Sequence, residues 1–196
     1  MMRLIVGLSG ASGVIYGIRF LQVLRKKNIK TDLVVTNAAA GIIENETDLE
    51  VSDVLSLATR VHDIKNLESP IASGGFRSQG MVVIPCSMKT IAGIACGYAD
   101  NLLLRAADVT LKEKRRLVLV PRETPLNVIH LRNMLSLAKA GAVILPAMPA
   151  YYYKPSTLDD LVDHVVGKVL DVFNVDHKLY ARWKGEQPAK QLNSNS

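Results

Sequence analysis

Short β-branched runs alternate along the chain with longer stretches of helical spacing. Arg3–Leu8 reads as a buried strand, and Val14–Leu24 as a helix with Ile15, Ile18, Leu21 and Leu24 among its apolar positions. Thr31–Val35 predicts a second strand, followed by an alanine-rich helix from about Ala38. Ser52 ahead of Asp53-Val54-Leu55 predicts a helix N-cap. Met81–Pro85 predicts a third strand, Met88–Gly97 a small-residue helix, Leu103–Lys114 another helix and Leu117–Val120 a strand. Pro125–Ala140 predicts a helix with proline in its first turn, Ala142–Leu145 a strand, and Thr157–Phe173 a long amphipathic helix. Strands separated by helices require crossover connections. The pattern therefore predicts the α/β class, with a mostly parallel sheet and helices on both faces in three layers.

Composition narrows this picture. With 196 residues, 48% of them hydrophobic, the chain is expected to form one domain over residues 1–183, with a polar, disordered tail over 184–196. No apolar run approaches the ~20 residues of a membrane span. Cys86 and Cys96 form neither a disulfide framework nor a C-x-x-C pair, so a cytoplasmic protein with free thiols is expected. His62, His130, His164 and His177 lack metal-ligand spacing, which predicts no metal and makes each a surface or capping residue. The net charge of +6 is concentrated in one stretch, where Arg105, Lys112, Lys114, Arg115, Arg116 and Arg122 face only Asp108 and Glu113. No aromatic residues interleave with these cations, so a phosphorylated small molecule is favoured over nucleic acid.

In a parallel sheet, ligands bind where loops leave the carboxyl ends of strands. Those positions hold Ser9-Gly10-Ala11-Ser12-Gly13, Thr36-Asn37, Pro85 through Thr90, Pro121-Arg122-Glu123 and Pro146 through Pro149. The glycines of the first loop let backbone approach an anion at a helix N-terminus, although its spacing matches neither the dinucleotide fingerprint nor the Walker motif. A tight turn that binds nothing is the bland alternative. Ser87-Met88-Lys89-Thr90 repeats the same logic, or simply caps a helix. Arg122 suits a phosphate and Glu123 suits proton handling. Arg105, Asp108 and Lys112 share a helical face that is ordinarily just solvated. The run Tyr151-Tyr152-Tyr153 sits in an apolar loop that a ligand or a second subunit would cover.

Taken in order, Gly10-Ala11-Ser12-Gly13, Glu46-Thr47-Asp48, Ser73-Gly74, Pro85-Cys86-Ser87-Met88-Lys89-Thr90, Arg105-Ala106-Ala107-Asp108, Leu111-Lys112-Glu113, Val120-Pro121-Arg122-Glu123-Thr124-Pro125, Tyr151-Tyr152 and Ala181-Arg182-Trp183 form a recognisable series. It resembles the UbiX-type flavin prenyltransferases, and the branch once described as the B subunit of phenolic-acid decarboxylases. The resemblance spans about residues 3–183.

It implies a flavodoxin-like, or Rossmann-like, fold and a homo-oligomer, usually a dodecamer. It also implies reduced FMN as substrate, dimethylallyl phosphate as donor, and prenylated FMN as the product passed to a UbiD-type decarboxylase. Matched by motif, FMN would contact Gly10, Ala11, Ser12, Thr36, Ser87, Met88, Lys89, Thr90 and Arg122. The prenyl phosphate would meet Ser73, Gly74, Arg105, Lys112, Arg122, Tyr152, Lys168 and Trp183, some of them from neighbouring subunits. Ser12, Glu46, Lys112 and Glu123 would be catalytic. Thr36 stands where serine is frequent, and Lys168 where arginine is frequent. That second change keeps the charge and loses the bidentate fork. Rival readings are an FMN-dependent aromatic-acid or cysteine decarboxylase and a non-catalytic FMN carrier. The cysteine decarboxylases rely on a histidine near the start of the second helix, where this chain has Thr36-Asn37-Ala38-Ala39-Ala40.

Overall fold

The computed structural model describes residues 2–183 and 185. The tail expected over 184–196 thus lies outside the described residues, Gly185 excepted. The elements are β1 (Arg3–Leu8), α1 (Val14–Lys26), β2 (Lys30–Val35), α2 (Asn37–Glu46), α3 (Val51–Ser56) and β3 (Arg60–His62). There follow β4 (Gly80–Cys86), α4 (Met88–Ala95), α5 (Leu102–Lys112), β5 (Arg116–Pro121), α6 (Val128–Lys139), β6 (Val143–Ile144) and α7 (Leu158–Val172). Among the described residues, no helix is long and apolar enough to cross a membrane.

Among the described residues, all six strands are parallel, in the order β3-β2-β1-β4-β5-β6. The chain winds outward from β1 to β3, then returns to the other side of β1 and winds outward again. Strand order therefore reverses between β1 and β4, and the crevice beyond their carboxyl ends is where such sheets take ligands.

The period-2 alternation of the strands feeds two cores. Leu4, Val6 and Leu8 of β1 and Val82 and Ile84 of β4 pack toward α1 and α7. Ile5, Met81, Val83 and Cys86 point to the opposite face, against α4 and α5. Every residue of β4 is buried, which is why this strand reads as a continuous apolar run.

The structure departs from the expected elements at three places. Strand β3, Arg60-Val61-His62, has no counterpart among the expected strands because it is short and largely exposed. Glu50, not Ser52, is the N-cap of α3, and its N–H donates to Asp53 Oδ2 at 3.0 Å. Helix α6 starts at Val128 rather than Pro125, because the Asn127 side chain accepts from the His130 N–H at 2.9 Å. Proline has no such acceptor.

Candidate active site

Two loops are stitched together at the switch point. The Ser9 hydroxyl donates to the Pro85 carbonyl at 3.1 Å and accepts the Ser87 N–H at 2.8 Å, while the Ser9 N–H donates to the same carbonyl at 3.2 Å. Beside them three helices present their N-termini. Thr36 caps α2 through the Ala39 N–H at 3.2 Å, and Ser87 caps α4 through the Thr90 N–H at 3.2 Å. The Thr36 hydroxyl keeps a proton to donate elsewhere, while Ser87 Oγ shares a hydrogen bond with Thr90 Oγ1 at 3.0 Å. A cleft of about 710 Å³ opens here, lined among others by Gly10, Thr36, Ala38, Ser87, Lys89 and Thr90. Gly10 packs so closely on α2 that a Cβ there would lie 2.6 Å from Ala38 Cβ. The far wall consists of Ile64, Cys96, Tyr98, Asp100, Asn101, Leu103 and Leu104, none of which the motifs had singled out. These residues become neighbours only when α4 and α5 fold over the sheet.

Helix α1 is capped from a distance. Gly13 stands at its N-cap with φ of 93°, a left-handed conformation suited to glycine, and offers no side chain. Glu46, the last residue of α2, does the capping: its Oε2 accepts the Gly13 N–H at 2.8 Å and the Val14 N–H at 3.2 Å. Burial alone would raise the Glu46 pKa. The Ser12 hydroxyl, the two amides and the nearby Arg122 guanidinium outweigh it and hold the carboxyl below its usual range. Glu46 is thus held as an anion, with Ser12, Gly13 and Val14 donating to it. Arg122 itself is fixed by donating from Nε to the Ser12 carbonyl at 3.0 Å. Glu123 follows it, accepting the Thr124 N–H at 3.1 Å.

An aromatic wall rises from the loop after β6. Tyr152 meets Trp183 edge-on at 5.8 Å between ring centroids, and Tyr153 stacks on His164 at 5.5 Å. His164, expected at the surface, is buried. Burial, with help from Lys168 and against Asp171, lowers its pKa, and its Nδ1 accepts the Ala150 N–H at 3.3 Å. It is therefore a neutral pillar under the tyrosines.

The remaining expected residues lie elsewhere. Ser73 and Gly74 precede β4, and Lys112 ends α5 just ahead of β5, so they belong to the amino edge of the sheet. Lys112 Nζ contacts Glu113 Oε1 at 2.5 Å. Arg115 donates to the carbonyls of Gly74 and Phe76 at 2.6 and 2.5 Å, and Arg105 donates to Ala72 at 3.2 Å while pairing with Asp108. Within one chain, Arg105 and Arg115 thus staple the loop that carries Ser73 and Gly74. Lys168 is exposed on α7, one turn beyond His164.

A doubly wound parallel sheet with a polar-rimmed cleft at its switch point, floored by helix N-termini, defines a protein built to hold a flat phosphorylated cofactor. The family model described as Flavoprotein matches residues 1–173. The flavin prenyltransferase UbiX of Thauera aromatica is 52% identical over 186 residues, covering 95% of this chain and 96% of that protein. The crystal structure of AnUbiX in complex with FMN and dimethylallyl pyrophosphate superposes with a TM-score of 0.93 at 49% identity, covering 95% of this chain and 99% of that one. A dodecameric FMN-dependent UbiX-like decarboxylase from Escherichia coli O157:H7 superposes with a TM-score of 0.92 at 52% identity, covering 94% and 100%. The chain belongs to the flavoprotein family and, within it, to the UbiX-type flavin prenyltransferases.

Proposed function

We propose that this chain transfers the dimethylallyl group of dimethylallyl phosphate to N5 and C6 of reduced FMN, making the prenylated FMN used by a UbiD-type decarboxylase. The observation that carries this reading is the placement of Arg122 and Glu123 at the carboxyl end of β5, with Arg122 locked onto the β1–α1 loop. A flavin carrier has no use for a second anion site there.

The cleft fits FMN. Its volume lies within the ~300–1,000 Å³ usual for cofactor sites. The helix N-termini suit the phosphate, and the hydroxyls of Thr36, Ser87 and Thr90 suit the polar edge of the ring. Bound reduced FMN would supply the nucleophilic N5 and C6. The chain supplies the rest. Arg122, Lys112 and Lys168 neutralise the departing phosphate, Lys168 as a point charge without a fork. Glu123 moves a proton at that phosphate, and Ser12 with the anionic Glu46 accepts one near N5. Tyr152 and Trp183 shield a developing allylic cation from water and offer it their π-faces. Cys86 and Cys96 as free thiols favour a cytoplasmic setting.

The same geometry calls for more than one copy. Lys112 precedes β5 and Glu123 follows it, so a six-residue strand of about 20 Å separates them in one chain. One small phosphate does not span that distance, and two chains together complete the site. The surface agrees. On α6, Val128, Ile129, Leu131 and Leu135 are 61%, 65%, 52% and 55% exposed, a strip too apolar to face water in a lone chain. We expect Leu131→Lys with Leu135→Lys to elute from a sizing column as smaller species and to lose transfer. Unchanged elution would remove α6 from the interface.

The test of the reading is anaerobic incubation of the protein with reduced FMN and dimethylallyl phosphate, followed by mass analysis of the flavin. A gain of one C5 unit is expected, and its loss in Glu123→Gln. Unmodified flavin that remains bound would overturn the reading in favour of a carrier or a decarboxylase.

A further inference from the structure

One carboxylate outside the cleft gathers more donors than any local motif accounts for. Asp171, in the last turn of α7, accepts the Tyr180 hydroxyl at 2.6 Å and the Arg182 Nη2 and Nη1 at 2.6 and 3.3 Å. His177 Nε2 lies 3.1 Å from Asp171 Oδ1, and its Nδ1 accepts the Leu179 N–H at 3.3 Å. The second bond assigns the tautomer: Nδ1 carries no proton, so Nε2–H donates to Asp171. Every polar side chain in this list belongs to the segment that returns after α7 and ends at Trp183.

The fit between segment and helix is close. Gly167, in the middle of α7, has no side chain where a Cβ would lie 2.6 Å from the Tyr180 ring and 2.7 Å from the His177 ring. A glycine inside a helix costs about 1 kcal/mol relative to alanine, and the close approach of the strap explains its presence. The Tyr180 ring then lies 4.8 Å from His164 between centroids, and the Arg182 guanidinium sits 5.7 Å from the Tyr180 centroid. His164 stacks on Tyr153, and Tyr152 meets Trp183. A continuous run of packed rings thus connects the helix-anchored strap to the wall of the site.

We propose that Asp171 is a positioning residue: it fixes the segment 174–183 on α7 so that Trp183 is held against Tyr152 at the prenyl pocket. It touches neither substrate nor flavin. The inference rests on the reading of the site as one that takes an allylic phosphate. Burial would raise the Asp171 pKa, but bonds from Arg182, Tyr180 and His177 hold it at about 2, as expected for a carboxylate whose charge organises its surroundings.

The experiment uses the flavin-loaded assembly and two readouts. Trp183 is the only tryptophan of the chain, so its emission reports the strap directly. Asp171→Asn keeps the shape but turns one acceptor arm into a donor facing other donors. It is expected to shift Trp183 emission to longer wavelength and lower kcat/KM for dimethylallyl phosphate about tenfold. FMN affinity should stay within about threefold, because no bond to Asp171 reaches the cleft. Tyr180→Phe and Arg182→Gln each remove one donor and should move both readouts the same way by less. They decide the matter if Asp171→Asn does not fold. Unchanged emission and kcat/KM would overturn the proposal, as would a loss of FMN affinity as large as the loss of kcat/KM. If the wild-type protein transfers no prenyl group, the functional reading fails, while Trp183 emission still tests whether Asp171 anchors the strap.

Discussion

Assemblies made from a mixture of Lys112→Ala and Glu123→Gln chains are expected to prenylate FMN, although each variant alone does not. Lys112 lies at the amino edge of the sheet beside Ser73 and Gly74, and Glu123 at the carboxyl edge beside Arg122. If each phosphate is held by Lys112 of one copy and Glu123 of another, each pure variant lacks one essential group at every site. In a random equal mixture, about a quarter of the sites receive one intact partner of each kind, so about a quarter of wild-type transfer should return. Neither substitution removes a buried group, since the Lys112 and Glu123 side chains are both solvent-accessible. Mass analysis of flavin from co-expressed chains measures the outcome directly. A mixture no better than its parents would mean that both residues serve one site within a single chain, and the two-copy account would fall.

The second large effect concerns the joint between α1 and the sheet. A Cβ on Gly17 would fall well inside contact with the Ile84 carbonyl oxygen and Leu8 Cδ2, both in the buried centre of the molecule. Backbone on one side and core on the other leave no flexible atom to yield. Gly17→Ala is therefore expected to lift α1 off β1 and β4 and to destabilise the protein by about 3 kcal/mol. It should also weaken FMN retention, because α1 carries the Ser9–Gly13 loop. Gly41→Ala is the matched control. It lies in α2 with open space around it, so helix propensity alone acts, and the change should stabilise by about 0.5–1 kcal/mol. Denaturant midpoints and flavin retention of the two variants test this. A neutral Gly17→Ala would show that the helix can shift without cost.

Helices and strands with strong periodicity were legible because burial imposes its own spacing on the chain. Strands β1, β2, β4 and β5 appear within a residue or so of their expected limits, and every loop chosen as a ligand loop leaves the carboxyl edge. Elements that owe their existence to neighbours were not legible. Strand β3 has only three largely exposed residues, and pairing with β2 is what makes it a strand. His164 looked like a surface residue until α7, Tyr153 and Tyr180 enclosed it.

The site divides the same way. The amino-acid sequence by itself determined the chemistry of the groups: a glycine-rich turn before a helix, paired hydroxyls at a second turn, a basic stretch ending in Arg122-Glu123, and a row of tyrosines. It also carried the family motifs, because these functions depend on residue type at short spacing. Which groups meet was decided by tertiary structure alone. Glu46 caps a helix that begins 32 residues earlier, Asp171 gathers donors from a strap that folds back over α7, and Lys112 is turned away from Arg122 by the length of β5. Such contacts join positions far apart in the chain through the direction of strands and helices. Local spacing carries no record of that direction once the chain has turned back on itself.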